Sequence, residues 1–406
     1  MFKRALFAVT IVLMLAITGG LIASIGVKVF EQQQPDTSSS DTVTETTAAP
    51  YMVEVPLQEL AITVLENGYW FEQLEEPLRV QYNAILKQIL TNAHRETLLD
   101  DQAWGMTARV YGYEHTDESV ERLLTAICND HPELFFISAN FTYKRYGDGL
   151  SVEFRYILSA EERRSAAIEL EETIASLLSD CRTDDPYETE RNLHDALLTR
   201  CRYSYEAAES EALSDLHWRM SSPYAALCEG EAICGGYARA MQWLLARAEI
   251  DNMLVYNDDH VWNLVWLEDK PYFLDPTWND FDDDIVSHRV FNVTYEDLIR
   301  TRTLPEATPL HRSAVYVEDN YFVREGDFID GNWQTTLAAS LRRQLEEGKA
   351  WLEFRFSEDV FDEAVSYIEG ESFFAEFDFL EEGAWTSFSY YTDDDLGIVT
   401  IKQTDA

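Results

Sequence analysis

ICGGYARAMQWLL (233–245) and HVWNLVWLEDKPYFLDPTWND (260–280) are the two runs around which this chain is organised. A cysteine, then a histidine, then an aspartate is the order of a thiol nucleophile, its base and the group that orients the base. Tyr237, Met241, Leu244, Leu245 and Ala248 recur at helical spacing, so Cys234 stands at the start of a helix. Unpaired backbone amides and the helix dipole at such a position stabilise a thiolate. The same amides can hold the oxyanion that forms when a carbonyl is attacked. Gly230, Gly235 and Gly236 bracket the cysteine and would let a substrate backbone approach closely.

The second run has strand character on both sides of Glu268-Asp269. A tight turn there sets residue 267 opposite 270, and by extension 260 opposite 277. Asp275 is then two residues from the position facing His260 and points to the same face. Diagonal neighbours of that kind lie roughly 7–8 Å apart at the backbone, within reach of an imidazole and a carboxylate. The spacing therefore predicts a His260–Asp275 contact. Nothing local places Cys234 beside the pair; that requires the helix to pack on the hairpin.

Outward from these runs, apolar periodicity predicts helices over 76–94, from about Ser119, over Glu161–Asp180 and after the Asp185-Pro186 cap. Phe135-Phe136-Ile137 reads as a buried strand, and 141–156 as a hairpin turning at Gly147-Asp148-Gly149. Beyond the central stretch, Arg289 to Val293 reads as a strand, Tyr295 to Arg300 as a helix and 305–309 as loop. The tail alternates helices over Trp333–Gly348 and Val360–Ile368 with strands at Trp351, Phe377–Leu380, Phe388–Tyr391 and Ile398–Ile401. The chain divides into 1–30, an apolar segment; 31–50, a polar linker; 51–160, an α+β region; 161–330, carrying the cysteine, histidine and aspartate; and 331–406, a small α+β domain.

Composition narrows the function classes. The 406 residues are 46% apolar, enough for a sizeable core, and carry 74 acidic against 31 basic side chains, a formal charge of −43. A surface that acidic repels nucleic acid, so no nucleic-acid partner is expected. Lys3 and Arg4 precede an uncharged run from Ala5 to Val27, long enough to cross a bilayer. With the basic flank held in the cytoplasm, the rest of the chain lies outside the membrane. No small-x-small cleavage site follows, so a retained single-pass anchor is favoured over a cleaved secretory signal.

Five cysteines are too few, and odd in number, for a disulfide scaffold. Cys128, Cys181 and Cys201 fall on apolar helix faces or at a helix end and read as structural. Cys228 reads as core, with a disulfide to Cys234 or a redox guard as alternatives. No cysteine or histidine spacing suggests zinc, and no acidic loop has EF-hand spacing, so neither metal nor cofactor is expected. Tyr224 and Trp218 are candidate oxyanion donors besides the Cys234 amide; Gly235 and Trp262 are candidate substrate neighbours. His194, His217 and His288 have no comparable context.

The run SSPYAALCEGEAICGGYARAMQWLL, with HVWNLVWLEDKPYFLDPTWND, resembles the transglutaminase-like core of bacterial extracytoplasmic proteins, and more distantly papain-type cysteine proteases. The family pattern is Cys-x-Gly-Tyr-Ala opening a helix, His-x-Trp-Asn opening a strand and Asp-x-Thr-Trp closing the next. All three are present, with His260-Val261 where His-Ala is more usual and Cys228 where an aliphatic residue is common. DDPYETERNLHDALLTRCRYSYE, VFNVTYEDL, NYFVREG and NDHPELFFI extend the resemblance to about 118–330. It implies an α+β, papain-like core in which Cys234 is nucleophile, His260 base and Asp275 orienter. The implied reaction is attack on an amide or peptide carbonyl through a thioester, in a protein, peptide or cell-wall peptide, with hydrolysis favoured over Gln–Lys transamidation. The rival is a non-catalytic surface protein that uses the same fold for binding or scaffolding.

Overall fold

The computed structural model describes residues 62–403 except 96, 100–102, 211–213, 283–284, 305–311, 371–372 and 374–387, and also Leu60 and the short strand Lys28–Val29. The chain is an α+β protein with mainly antiparallel sheets.

An amino-terminal layer comes first. Helix α1 (Glu76–Asn92) buries Leu78, Tyr82, Ile85 and Ile89, the spacing of a single helical face. It packs with strands β1 (Gly105–Tyr111), β2 (Ile137–Tyr146) and β3 (Gly149–Tyr156) and with helix α2 (Asp117–Asp130). A reciprocal Thr116–Ser119 capping box starts α2. Strands β2 and β3 pair Tyr143 with Val152 and Tyr146 with Gly149, which is the expected hairpin; Lys28–Val29 lies parallel to β2 on its other edge. Phe135 and Phe136 are not strand, however. Pro132 starts a 3₁₀ turn through Leu134, and the strand begins only at Ile137.

Helices α3 (Ala160–Cys181) and α4 (Pro186–Arg200) follow, then α5 (Cys234–Arg247) and a three-stranded sheet of β4 (Asn252–Tyr256), β5 (Val261–Leu267) and β6 (Lys270–Leu274), with β5 central. Glu268 and Asp269 take positive φ of 48° and 66°, the geometry of a two-residue hairpin turn, and Leu267 pairs with Lys270 as expected. Arg289–Val293 is not a strand. Only Val293 bridges to Phe273, because Phe291 turns back onto His288 and Asn292 is left-handed, φ 52°. Helix α6 (Tyr295–Thr301) closes this part of the chain. One apolar cluster runs from Leu60 to Phe322 through both the amino-terminal layer and the three-stranded sheet, and takes in Leu396 and Ile398 from the end of the chain.

The carboxy-terminal part has a second cluster, built from α7 (Trp333–Glu346), β7 (Trp351–Phe356), α8 (Glu358–Ile368), β8 (Phe388–Asp393) and β9 (Ile398–Gln403). The apolar segment and linker, the 305–309 loop and the expected strand Phe377–Leu380 lie outside the described residues, apart from Lys28–Val29. Among the described residues no helix is long and apolar enough to cross a membrane.

Candidate active site

Cys234 is the first residue of α5, so its amide and that of Gly235 have no intrahelical acceptor. The helix lies on the face of the three-stranded sheet, and one side chain fixes their relative placement. Asn263, fully buried on the central strand β5, donates Nδ2 to the carbonyl of Ala238 on α5 at 3.0 Å. A second glycine requirement comes from the chain itself. A Cβ on Gly236 would lie 2.6 Å from the Met220 carbonyl and 2.7 Å from Ala232 Cβ. Gly236 therefore lets the preceding loop pack on the helix, a different reason from the substrate approach expected.

His260 sits just before β5, where the Asn257 side chain accepts from its backbone amide at 2.8 Å and from that of Asp259 at 3.2 Å. The ladder between β5 and β6 ends at Asn263–Leu274. Pro276 then starts a short helix, Pro276–Asn279, and Asp275 becomes its cap, accepting from the Trp278 amide at 3.2 Å through Oδ1. Its other oxygen lies 2.8 Å from His260 Nε2. The predicted contact is thus present, although the strands do not extend far enough to make it by register alone. Nε2 being taken by Asp275 leaves Nδ1 for the thiol, and Cys234 lies near enough to the imidazole to help raise its pKa. Cys234 also packs in one small apolar cluster with Ala238, Leu254 and Val261.

Electrostatics follow from burial and pairing. Burial opposes the charge on His260, but the Asp275 carboxylate, its hydrogen bond and the neighbouring Cys234 outweigh it and raise its pKa to about 9. Burial likewise opposes ionisation of Asp275, but His260 and Arg302 hold it well below the usual carboxylate range. Arg302 is a residue the sequence reading missed. Its Nη1 bonds the same Asp275 oxygen as His260, its guanidinium lies 4.2 Å from the Trp278 ring centroid and 5.0 Å from that of Trp262, and the side chain is 5% exposed. It follows α6, and Thr303 next to it accepts from Asn257 Nδ2 at 3.0 Å, so it reaches the site by tertiary packing. No local pattern marks it.

The remaining site residues distribute unevenly. Trp262 is fully buried, with its ring 5.8 Å from that of His260 and nearly parallel. Trp218 lines a small cavity beside α5, and its Nε1 is buried without a partner. Tyr224 is turned elsewhere; its hydroxyl donates to Glu169 on α3 at 2.9 Å. All five cysteines are free thiols, so Cys228 and Cys234 are not bridged, and Cys228 contacts Thr173. Burial pushes the Cys128 and Cys201 thiols up to about 12 and the Cys228 thiol up to about 11, which fits inert packing.

A second charged cluster was also unseen in the sequence. His194, Asp195 and His288 bring ligand-type atoms within 4.8 Å of one another, as a metal site would. The hydrogen bonds describe a proton network instead. Asn279 Oδ1 accepts from the Val290 amide, so its Nδ2 donates to His194 Nε2 at 3.0 Å. The His194 proton therefore sits on Nδ1 and points at Asp195 Oδ1, 2.8 Å away. His288 donates Nε2 to the same oxygen at 2.8 Å and Nδ1 to Glu353 of β7 at 3.2 Å. Burial opposes its charge, but Asp195 and Glu353 raise its pKa to about 9.

No protein-family model and no curated protein matches this chain. A solved structure described as a TGase, a transglutaminase, is similar at 12% identity and a TM-score of 0.26, over 43% of this chain and 51% of its own. The chain thus spans about half the length of that structure, and a likeness of that size carries no argument here.

Proposed function

We propose that the chain is a thiol enzyme of transglutaminase-like type, with a papain-like core, that acts on amide or peptide bonds through a thioester. The observation that carries this reading is the His260–Asp275 contact, with Cys234 beside the imidazole at the start of α5. His260 takes the thiol proton, and Cys234 Sγ attacks the amide carbonyl. The amides of Cys234 and Gly235, at the open end of α5, are positioned to hold the resulting oxyanion. The imidazolium returns its proton to the leaving amine as the C–N bond breaks, leaving a thioester that water or an acceptor amine resolves. Hydrolysis is the favoured outcome. The apolar run Ala5–Val27 supports an outward-facing domain on a retained membrane anchor, with protein or cell-wall peptides as substrates.

The test is the rate of iodoacetamide labelling at Cys234, followed by mass spectrometry from pH 5 to 10. Labelling faster than a free thiol below pH 7, lost in Cys234→Ala and slowed at least about tenfold in His260→Ala, is expected. Labelling no faster than an ordinary exposed thiol, and indifferent to His260→Ala, would sink the reading and favour a binding or scaffold role. Anchoring is checked separately: a mature protein beginning near residue 30 would mean that the segment is removed.

A further inference from the structure

Among the described residues, Arg239 makes no hydrogen bond and no ion pair, although the chain carries 74 acidic side chains against 31 basic ones. Other partly buried arginines are matched: Arg302 with Asp275, Arg219 with Glu229, Arg247 with Glu171, Arg355 with Asp297. Arg239 lies on α5, five positions after Cys234, and its Nη1 rests over Gly235, 3.2 Å from where a Cβ on that residue would be. It lines a cavity of about 40 Å³ with Trp218, Ser221, Ser222, Phe135 and Cys128.

The surroundings supply donors and no carboxylate; the groups whose negative charge would act on Arg239 are the Cys128 and Cys234 thiols. Trp218 contributes an indole whose Nε1 is buried and unpartnered. The Ser221 and Ser222 hydroxyls are already given to the carbonyls of His217 and Arg219, at 2.9 and 2.7 Å. Cys128 is no counter-ion, because burial keeps it a neutral thiol with a pKa of about 12. Of the acids in the preceding turn, Asp130 accepts from the Trp70 and Phe71 amides and the Tyr82 hydroxyl, and Glu133 accepts from His131 and the Leu65 amide through Oε1 and forms no ion pair with Arg239. Arg239 is half-buried, and a cation held partly out of water without a paired carboxylate is one that a ligand anion can complete.

We infer that Arg239, with Trp218 beside it, forms a carboxylate subsite adjoining Cys234, so that the acyl donor is an amide bearing a free carboxylate close to the carbonyl under attack. A cavity of this kind needs only about 10–15 Å³ to admit one water, so about 40 Å³ admits a small group, and the guanidinium fork matches a carboxylate with two parallel bonds. The assignment of that carboxylate to the acyl donor rests on the thiol-enzyme reading; the anion subsite itself does not.

Two measurements on the full chain in detergent keep these apart. Maleimides with tails of one to three methylenes, ended by carboxylate or by carboxamide, are compared for their rates at Cys234. At one tail length the carboxylate is expected to react about tenfold faster than the carboxamide. The ratio should collapse in Arg239→Gln and return in part in Arg239→Lys. A general effect of the Arg239 charge on the thiol would move both reagents together and leave the ratio alone. Independently of thiol reactivity, glutarate should slow phenylglyoxal modification of Arg239 in the unaltered protein. A carboxylate ratio unchanged by Arg239→Gln, or equal modification with and without glutarate, overturns the subsite. A Cys234 no faster than a free thiol, with glutarate protection retained, overturns only the enzyme reading.

Discussion

Asp275 is where the site is decided at the scale of single residues, because one of its oxygens serves two cations. Oδ2 meets both His260 and Arg302, while Oδ1 is held by the Trp278 amide. Replacing it as Asp275→Asn leaves the shape and removes the charge; amide turnover should fall at least about a hundredfold, measured on a peptide amide library by amine release. Arg302→Gln acts in the opposite sense on the imidazole. With the competing cation gone, the full Asp275 charge falls on His260, whose pKa of about 9 rises, and the alkaline limb of turnover moves to higher pH. An unmoved limb in a folded Arg302→Gln protein would remove Arg302 from the electrostatics. The histidine–aspartate contact was legible from a two-residue turn and a strand period. Arg302 was not, because its position depends on how the segment after α6 folds back over Trp262 and Trp278, a long-range event with no periodic signature.

At the scale of elements, helix α5 and the hairpin β5–β6 are joined by the buried Asn263–Ala238 bond. Asn263→Ala removes the added bond to the Ala238 carbonyl, which the α5 ladder still engages, and leaves a small void. A loss of about 1–3 kcal/mol in urea unfolding is expected, with slower Cys234 labelling because the thiol and imidazole lose their common reference. Gly236→Ala is expected to cost more than about 2 kcal/mol, since a methyl 2.6 Å from the Met220 carbonyl has nowhere to go. Element identity was readable wherever one face is apolar over several turns, as in α1, α2 and α3. It failed at Phe135-Phe136 and at Arg289–Val293, two short apolar runs that pack as turns. There, Pro132 and the left-handed Asn292 decide the backbone before any ladder can form.

Across the whole molecule, the two buried histidines with a pKa near 9 make stability depend on alkaline pH. Both are raised from 6.5, so each is stabilising in full below pH 6.5 and loses its contribution as pH rises through about 9. The thermal midpoint should hold up to about pH 6.5 and decline from there through about pH 9, measured by circular dichroism. His288→Gln should start lower at pH 6 and decline less. A profile of unchanged shape in that variant would show that His288 is uncharged in the native protein. The network that holds it was invisible in sequence because its members, Asp195, His288 and Glu353, lie up to 158 residues apart and only the packing of the two clusters brings them together.

That network also limits how the molecule can be dissected. Glu353 sits on β7, and its carboxylate receives the Ser287 hydroxyl at 2.6 Å as well as the His288 ring. Arg289 approaches Asp393, and Asp297 pairs with Arg355, across the same boundary. A chain cut after residue 330 would therefore keep half-finished ion pairs at His288, Arg289, Asp297, Arg300 and the buried Asp327. Modularity in this protein has to be engineered: a shortened version needs His288, Arg289, Asp297 and Asp327 replaced by neutral side chains before the cysteine-bearing part can stand alone.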